Sequence, residues 1–209
     1  MTNFSKLPVD GFLGDVASEA PTPGGGTAAA VAGALGAALA EMVAALTLSK
    51  ERFADAHAVM RSISGSAREA RQKFLHLAQE DSEAYEAVVA ARRLPKETDE
   101  QKAARQQAIE GANRHATEVP MRTARLAASL LATLPELVEK GNPNTLSDAG
   151  SAAILLESAV EGALLNVGIN LPGVADAAFV GQMQSETATL QENSQRLRSQ
   201  IVAAVRKSF

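Results

Sequence analysis

An acidic residue, Asp81, interrupts an apolar helical pattern. Apolar side chains recur around it at intervals of three and four residues: Met60, Ile63, Ala67, Ala70, Phe74, Leu77, Ala84 and Val88. This spacing predicts one buried face of an α-helix. A carboxylate on that face is costly unless it is hydrogen-bonded, paired or facing a cavity. Asp81 is therefore a candidate functional acid. The alternatives are a hydrogen-bonded core carboxylate, or a helix break near Gln79 that returns it to solvent.

A second chemical feature is the segment APTPGGGTAAA, residues 20–30. We predict a loop over Gly24, Gly25 and Gly26 and a helix that opens at Thr27, where bare backbone N–H groups favour an anion. The segment is not a Walker A loop, because no Lys-Ser/Thr follows at the required spacing. It matches G-x-G-x-x-A, but no predicted strand precedes it, so a dinucleotide site is not expected. A plain Pro/Gly turn is the alternative.

Polar residues also flank a later stripe of small side chains. Asp148 precedes this stripe and Asn166 follows it; its members are Ala152, Leu155, Ala159 and Gly162. The two polar residues could frame a pocket, or act as a helix cap and a helix stop. Glu157 and Glu161 are i,i+4 neighbours; we favour a solvated face over a metal site, since no histidine lies nearby in the sequence.

The composition narrows the possible chemistry. The 209 residues include no Cys and 3 His, which excludes thiolate chemistry and makes a histidine-rich metal centre improbable. The net charge of −4 gives no sign of a nucleic-acid surface. The apolar run 28–48 contains Glu41 and is mostly alanine, so we predict a core helix rather than a membrane span. The start of the chain lacks a signal-peptide pattern, and the cytoplasm is the expected compartment.

The periodicity predicts helices nearly everywhere and no sheet. We therefore expect an all-α fold, a single-domain up-and-down bundle with long helices over residues 1–209. Thr98 or Asp99 should cap one helix, Pro120 should kink or break it, and Ser147 should be the N-cap of the next. The predicted ranges are a short helix around 12–16, then 27–48, 53–94, 99–134, 147–167 and 175–207. Gly33, Gly36, Ala37 and Ala40 should let a neighbouring helix approach closely.

Several long segments resemble the cyclodeaminase/cyclohydrolase family of folate enzymes. The resemblance runs in order along nearly the whole chain, through APTPGGGTAAAVAGALGAALAEMVAALTLSKERF, DSEAYEAVVAARRLPKETDEQKAAR, ATEVPMRTA and EKGNPNTLSDAGSAAILLESAVEGALLNVGIN. It implies an all-helical, typically dimeric enzyme of the stand-alone form, acting on a one-carbon unit carried by tetrahydrofolate without metal or redox cofactor. The first activity implied is hydrolysis of 5,10-methenyltetrahydrofolate to 10-formyltetrahydrofolate. The alternatives are formiminotetrahydrofolate cyclodeamination, and a non-catalytic folate-binding helical dimer.

The resemblance and the residue chemistry together suggest roles for named positions. Asp81 would face the cationic substrate or act as base, and Lys50 would orient water or shuttle a proton. The expected substrate-binding residues are Thr22, Gly24, Gly25, Gly26, Thr27, Arg52, Asn142, Asn144, Ser147, Asp148 and Asn166. Family members commonly have Gly-Lys-Lys where this chain has Ser49-Lys50-Glu51. The acidic Glu51 would repel the anionic tail of a polyglutamylated folate, so the preferred glutamylation state stays open.

Overall fold

A computed structural model describes residues 6–208, which form seven α-helices and no strand. The helices are α1 (Val9–Val16), α2 (Gly25–Leu48), α3 (His57–Arg92), α4 (Asp99–Leu131), α5 (Leu134–Lys140), α6 (Leu146–Asn170) and α7 (Ala177–Arg206). Short 3₁₀ segments cover Glu51–Ala56, Pro143–Thr145 and Leu171–Gly173. The all-α prediction is confirmed.

Four long helices, α2, α3, α4 and α6, form the bundle, and each runs antiparallel to the next. Hydrogen bonds near the helix ends fix these directions. Thr27 at the start of α2 meets Asp81 late in α3, and Asn170 at the end of α6 reaches Ala116 in α4. At the far end, the Asn142 N–H donates to Thr47 Oγ1. Helix α7 packs over α6 and α4, which completes an up-and-down arrangement.

Small residues on α2 allow its neighbours to come close. A Cβ built on Gly33 would lie 2.6 Å from Phe74 Cε1, and one on Gly36 would lie 2.9 Å from Leu156 Cγ. Ala37 and Ala40 are fully buried between these neighbours. The predicted close approach is confirmed, and it explains how a chain with few aromatic residues fills its core.

The structure corrects several local predictions. Gly25 and Gly26 belong to the first turn of α2, so only Gly24 stays outside the helix. Ser147 is not an N-cap, because α6 begins at Leu146 as a continuation of the preceding 3₁₀ turn. Pro120 does not break α4, which continues through it to Leu131.

Other boundaries follow recognisable local rules. Thr98 forms a capping box with Gln101: its hydroxyl accepts from the Gln101 N–H, and the Gln101 side chain accepts from the Thr98 N–H. The α3 helix starts later than predicted, since residues 51–56 form a 3₁₀ turn first. No helix break occurs near Gln79, so that account of Asp81 is wrong.

Among residues 6–208, two segments are long and apolar enough to cross a membrane by length and composition, Gly25–Leu48 and Pro143–Gly173. About half of each apolar window is buried inside the protein, 50% and 44% respectively. The core helix of a globular protein can have the same length and apolar composition, so these two helices are weak evidence for a membrane span. The other half of each helix leaves an apolar face uncovered in the single chain.

Candidate active site

A cavity of about 380 Å³ lies at the end of the bundle where α2 begins. The start of α2, the last turns of α3, the middle of α4 and the end of α6 form its walls. Its lining residues are Pro21, Thr22, Gly24, Gly25, Gly26, Asp81, Tyr85, Val88, Arg92, Asn113, Ala116, Asn166, Ile169, Asn170 and Gly173. This volume is within the range of small-molecule sites.

Asp81 is held at the base of this cavity by a hydrogen-bonded chain. The Thr27 hydroxyl donates to Asp81 Oδ2 at 2.9 Å, and Ser82 Oγ lies 3.0 Å from Thr27 Oγ1. Because Thr27 has a single hydroxyl proton, which it gives to Asp81, Ser82 must be the donor of the second bond. Thr27 and Ser82 are buried, so the carboxylate has a fixed orientation.

Gly26 leaves the space that the Asp81 carboxylate occupies. A Cβ built at Gly26 would collide with both carboxylate oxygens of Asp81. The carboxylate therefore rests directly against the N-terminal turn of α2, where the helix dipole stabilises negative charge. This is the physical requirement for glycine at this position, and it differs from the flexible loop that we predicted.

Two opposing effects set the proton affinity of Asp81. Burial raises its pKa above the ordinary value, because the charged form loses hydration. Hydrogen bonding by the side chain and backbone of Thr27 lowers the pKa and offsets part of that rise. A desolvated, oriented carboxylate gains energy when a cation enters the cavity, and it is a stronger base than a solvated one.

The structure brings half of the predicted site residues together. Thr22, Gly24, Gly25, Gly26, Asp81 and Asn166 all line the cavity. Thr27 lies beneath them as the donor to Asp81. The hydrogen-bonded-acid alternative describes the contacts of Asp81 correctly, yet the same carboxylate also faces the cavity.

The other predicted residues lie at the opposite end of the bundle. Lys50 and Arg52 follow the C-terminus of α2, whose 24 residues separate them from Gly25 by about 36 Å. The remaining members of this distal group are Asn142, Asn144, Ser147 and Asp148. Asn142 is buried, and its side chain accepts from the Asn144 N–H, which caps the start of the 3₁₀ turn before α6. Within one chain the distal group does not contact Asp81.

Within one chain, Asp148 and Asn166 do not frame one pocket. They occupy opposite ends of α6, 18 residues apart, which corresponds to about 27 Å of helix. The Glu157 and Glu161 pair also has no metal-binding geometry. Arg198 lies 3.8 Å from Glu157, while Gln191 donates to Glu161. Within residues 6–208, no group of three or more His, Asp or Glu side chains is placed to hold a metal ion.

Sequence reasoning missed several residues of the cavity. Tyr85, Val88 and Arg92 follow Asp81 at +4, +7 and +11, so they continue its helix face. That spacing was visible in the sequence, and it would have identified Tyr85 and Arg92 as neighbours of Asp81. Asn113 and Asn170 come from other helices, and no local pattern links them to the site.

A larger groove of about 600 Å³ lies between α3 and α4, yet it fits a reaction site less well. Arg122 and Arg125, which line it, are already paired with Glu80 and Glu186. Lys73, also on its wall, lies 3.5 Å from Glu69. The cavity at Asp81 differs because its carboxylate has no cationic partner among the described residues.

Comparison with known proteins identifies relatives over nearly the whole chain. The chain is 37% identical to a methenyltetrahydrofolate cyclohydrolase of Methylorubrum extorquens over 198 residues, covering 95% of each protein. It is 39% identical to the formimidoyltransferase-cyclodeaminase of Sus scrofa over 183 residues. That match covers 88% of this chain and 34% of the relative, so the chain spans about a third of the length of that bifunctional protein.

A solved structure extends the comparison to three dimensions. The crystal structure of formiminotetrahydrofolate cyclodeaminase from Thermotoga maritima superposes with a TM-score of 0.87 and 32% identity, over 97% of this chain and 98% of that one. Residues 8–189, which include the whole Asp81 cavity, match the sequence model of a family described as formiminotransferase-cyclodeaminase. The chain therefore belongs to the formiminotransferase-cyclodeaminase family.

Proposed function

We propose that this protein hydrolyses 5,10-methenyltetrahydrofolate to 10-formyltetrahydrofolate. The observation that carries the proposal is the oriented, partly desolvated carboxylate of Asp81 in a cavity of ligand size. The substrate is a cationic amidinium, and a half-buried carboxylate without a cationic partner among the described residues can stabilise such a cation. The 37% identity to a methenyltetrahydrofolate cyclohydrolase, over 95% of both chains, supports this choice.

The chemistry needs one base and one acid. Asp81 takes a proton from water as the water oxygen bonds to the bridging carbon of the amidinium. The tetrahedral adduct then collapses: the bond from carbon to ring nitrogen N5 breaks, and N5 keeps the electron pair and receives the proton that Asp81 took from water. The carbinol O–H loses its proton to solvent as the C=O bond of the formyl group forms on N10. The net reaction consumes one water and releases one proton. Thr27 and Ser82 keep the carboxylate aimed at the reacting carbon.

The mouth of the cavity offers groups for the rest of the folate. Tyr85, 44% exposed, presents an aromatic surface on which a planar ring can stack. Arg92 is exposed on the same face of α3, about two turns beyond Tyr85, where it can pair with the glutamate carboxylates of the substrate. Arg92 is therefore the cation that lines the Asp81 cavity of its own chain, whereas Arg52 lies at the opposite end of the bundle.

The test is the loss of the near-ultraviolet absorbance of 5,10-methenyltetrahydrofolate after the uncatalysed rate has been subtracted. We expect rapid loss with the native protein and a fall of roughly 100-fold or more in Asp81→Asn. Native-like helical circular dichroism of the variant is the control. Full activity of Asp81→Asn would refute the catalytic role, and no activity of the native protein would refute the cyclohydrolase proposal.

The second candidate is formiminotetrahydrofolate cyclodeamination, in which ring closure releases ammonia. The match at TM-score 0.87 to a protein named as such a cyclodeaminase favours it. Both reactions pass through a tetrahedral carbon between the same two nitrogens, so one cavity suits either. Rising absorbance with formiminotetrahydrofolate, together with no loss of methenyltetrahydrofolate, would select the cyclodeaminase.

We also propose that the protein acts as a homodimer. Helices α2 and α6 pack side by side and carry exposed large apolar side chains, among them Leu35, Met42, Leu46, Ile154, Leu165 and Ile169. A contiguous apolar face of this kind is typical of a subunit contact. Ile169 also lines the Asp81 cavity, so the cavity opens at the edge of this face.

Independence from any cofactor and localisation in the cytoplasm remain predictions.

If two copies pair through this face with their α2 helices antiparallel, Lys50 reaches the Asp81 cavity of the other copy. Within one chain it cannot, because the full length of α2 lies between them. The proposed role of Lys50 in proton transfer therefore depends on the dimer. This arrangement makes two identical sites, each with residues from both copies.

A further inference from the structure

Three asparagines line the Asp81 cavity, and the mechanism above uses none of them. Asn113 lies on α4, while Asn166 and Asn170 lie one turn apart on α6. Each side chain donates its amide nitrogen to a backbone carbonyl. The bonds are Asn113 Nδ2 to Gly173 O at 2.6 Å, Asn166 Nδ2 to Gly162 O at 2.8 Å, and Asn170 Nδ2 to Ala116 O at 2.6 Å.

These bonds fix which way each amide points. A backbone carbonyl only accepts hydrogen bonds, so the amide nitrogen must face it and the amide oxygen must turn away. Within residues 6–208, no donor forms a hydrogen bond to any of the three Oδ1 atoms. None of these oxygens is among the fully buried side-chain atoms that lack a partner. The three oxygens are therefore accessible acceptors on the cavity wall.

Pro120 explains how Asn170 obtains its anchor. In a regular helix, the N–H of residue 120 would donate to the carbonyl of Ala116, but proline has no N–H. The Ala116 carbonyl is left without its helical donor, and Asn170 Nδ2 supplies the missing bond from α6. The proline inside α4 thus sets the orientation of a side chain on another helix.

Acceptors grouped in this way suit a ligand edge rich in N–H donors. The reduced pterin ring carries such an edge, with hydrogens on N3, on N8 and on the 2-amino group. Resting on the proposed function, we infer that the amide oxygens of Asn113, Asn166 and Asn170 accept hydrogen bonds from these N–H groups and select the substrate by its aminopyrimidinone ring. Pterin binding by the asparagines leaves Asp81 free for the cationic carbon.

The test compares 5,10-methenyltetrahydrofolate with its 2-desamino analogue, in which hydrogen replaces the amino group. A site built to bind an N–H group rejects the analogue that lacks it, so the native enzyme should prefer the amino substrate about tenfold or more in kcat/KM. In Asn113→Ala, Asn166→Ala and Asn170→Ala the preference should fall, mainly through KM. The ratio of kcat/KM for the two substrates should approach 1 in the variant whose asparagine contacts the amino group.

Two further variants separate substrate binding from structural support. Asn170→Asp keeps an acceptor oxygen but loses the N–H bond to Ala116, so it should retain more of the preference than Asn170→Ala. Asn193→Ala changes an exposed asparagine on α7, outside the cavity, and should leave the ratio unchanged.

An unchanged ratio in all three alanine variants, or a native enzyme that does not discriminate, would overturn the inference while the proposed function stands. A native protein that turns over neither compound would overturn the proposed function, and this inference with it.

Discussion

At the scale of the residue, Asp81 combines a structural contact with a proposed chemical role. Its carboxylate rests on the first turn of α2 at Gly26 and accepts a hydrogen bond from Thr27. Burial nevertheless raises its pKa, so the folded protein holds the ionised acid at a cost. The electrostatic cost of the ionised carboxylate in the empty site would be offset by a bound cation, so the site is suited to an amidinium substrate.

Asp81→Asn should make the empty protein more resistant to heat at neutral pH. The folded pKa lies above the unfolded one, so protonated Asp81 adds stability at low pH, and this contribution is lost as the pH rises through the folded pKa. We expect the Tm of Asp81→Asn to exceed that of the native protein at pH 7. The difference should shrink as the pH falls towards the raised pKa, as followed by circular dichroism melts. A lower Tm of the variant at pH 7 would contradict this account.

The position of Asp81 shows how far single residues can be interpreted from sequence. Its place on an apolar stripe identified it as unusual, and the structure puts it at a cavity. The same stripe did not reveal Tyr85 and Arg92, because we treated the later positions as core. Asn113 could not have been found, since its place in the site depends on the packing of α4 against the segment after α6.

At the scale of the element, the bundle depends on where small residues stand along α2. Gly33 lies against Phe74, which is fully buried, and Gly36 lies against Leu156. The sequence predicted these close contacts correctly, because glycine and alanine at helical spacing favour tight packing. Helix ends were harder to predict: Ser147 is an ordinary N-cap residue, but the preceding 3₁₀ turn starts the helix before it.

Gly33→Ala should destabilise the fold. Its new Cβ would lie 2.6 Å from Phe74 Cε1, and a ring with no accessible surface can move only if the backbone also moves. We expect a loss of about 1–3 kcal/mol in the free energy of unfolding, measured by urea denaturation. The matched control is Gly111→Ala on α4, where the Cβ meets nothing within 4 Å and where we expect no loss, or a gain of up to about 1 kcal/mol. Equal effects of the two changes would show that packing against Phe74 is not the cause.

At the scale of the whole molecule, the predicted site residues divide between the two ends of the bundle. The sequence could not show this division. Gly24 and Lys50 belong to one continuous motif in the sequence, but they flank the two ends of α2 and so lie a whole helix length apart in space. The exposed apolar face on α2 and α6 offers a route by which two copies bring the ends together. In the proposed dimer, Lys50 belongs to the cavity of the other copy.

Subunit complementation tests this arrangement directly. Asp81→Asn and Lys50→Ala should each be nearly inactive alone. When the two are co-expressed, a heterodimer contains one site with both native residues, so random pairing should restore about one quarter of native activity. If Lys50 acted within its own chain, no site in the mixture would be complete and activity would stay at the level of the single variants. Mixing the two preformed variant homodimers without subunit exchange should restore no activity.

Pro120 inside α4 lowers the stability of that helix, but it also orients Asn170 and so contributes to the inferred substrate selectivity. Pro120→Ala would give Ala116 its helical donor back, and alanine suits a helix interior better than proline by about 3 kcal/mol. The repaired helix would compete with Asn170 for that carbonyl, and the amide would become free to turn. We expect a protein that melts no earlier yet distinguishes the 2-desamino substrate less sharply, as measured by Tm and by the kcat/KM ratio. A substitution chosen only to strengthen the helix would therefore produce a sturdier and less discriminating enzyme.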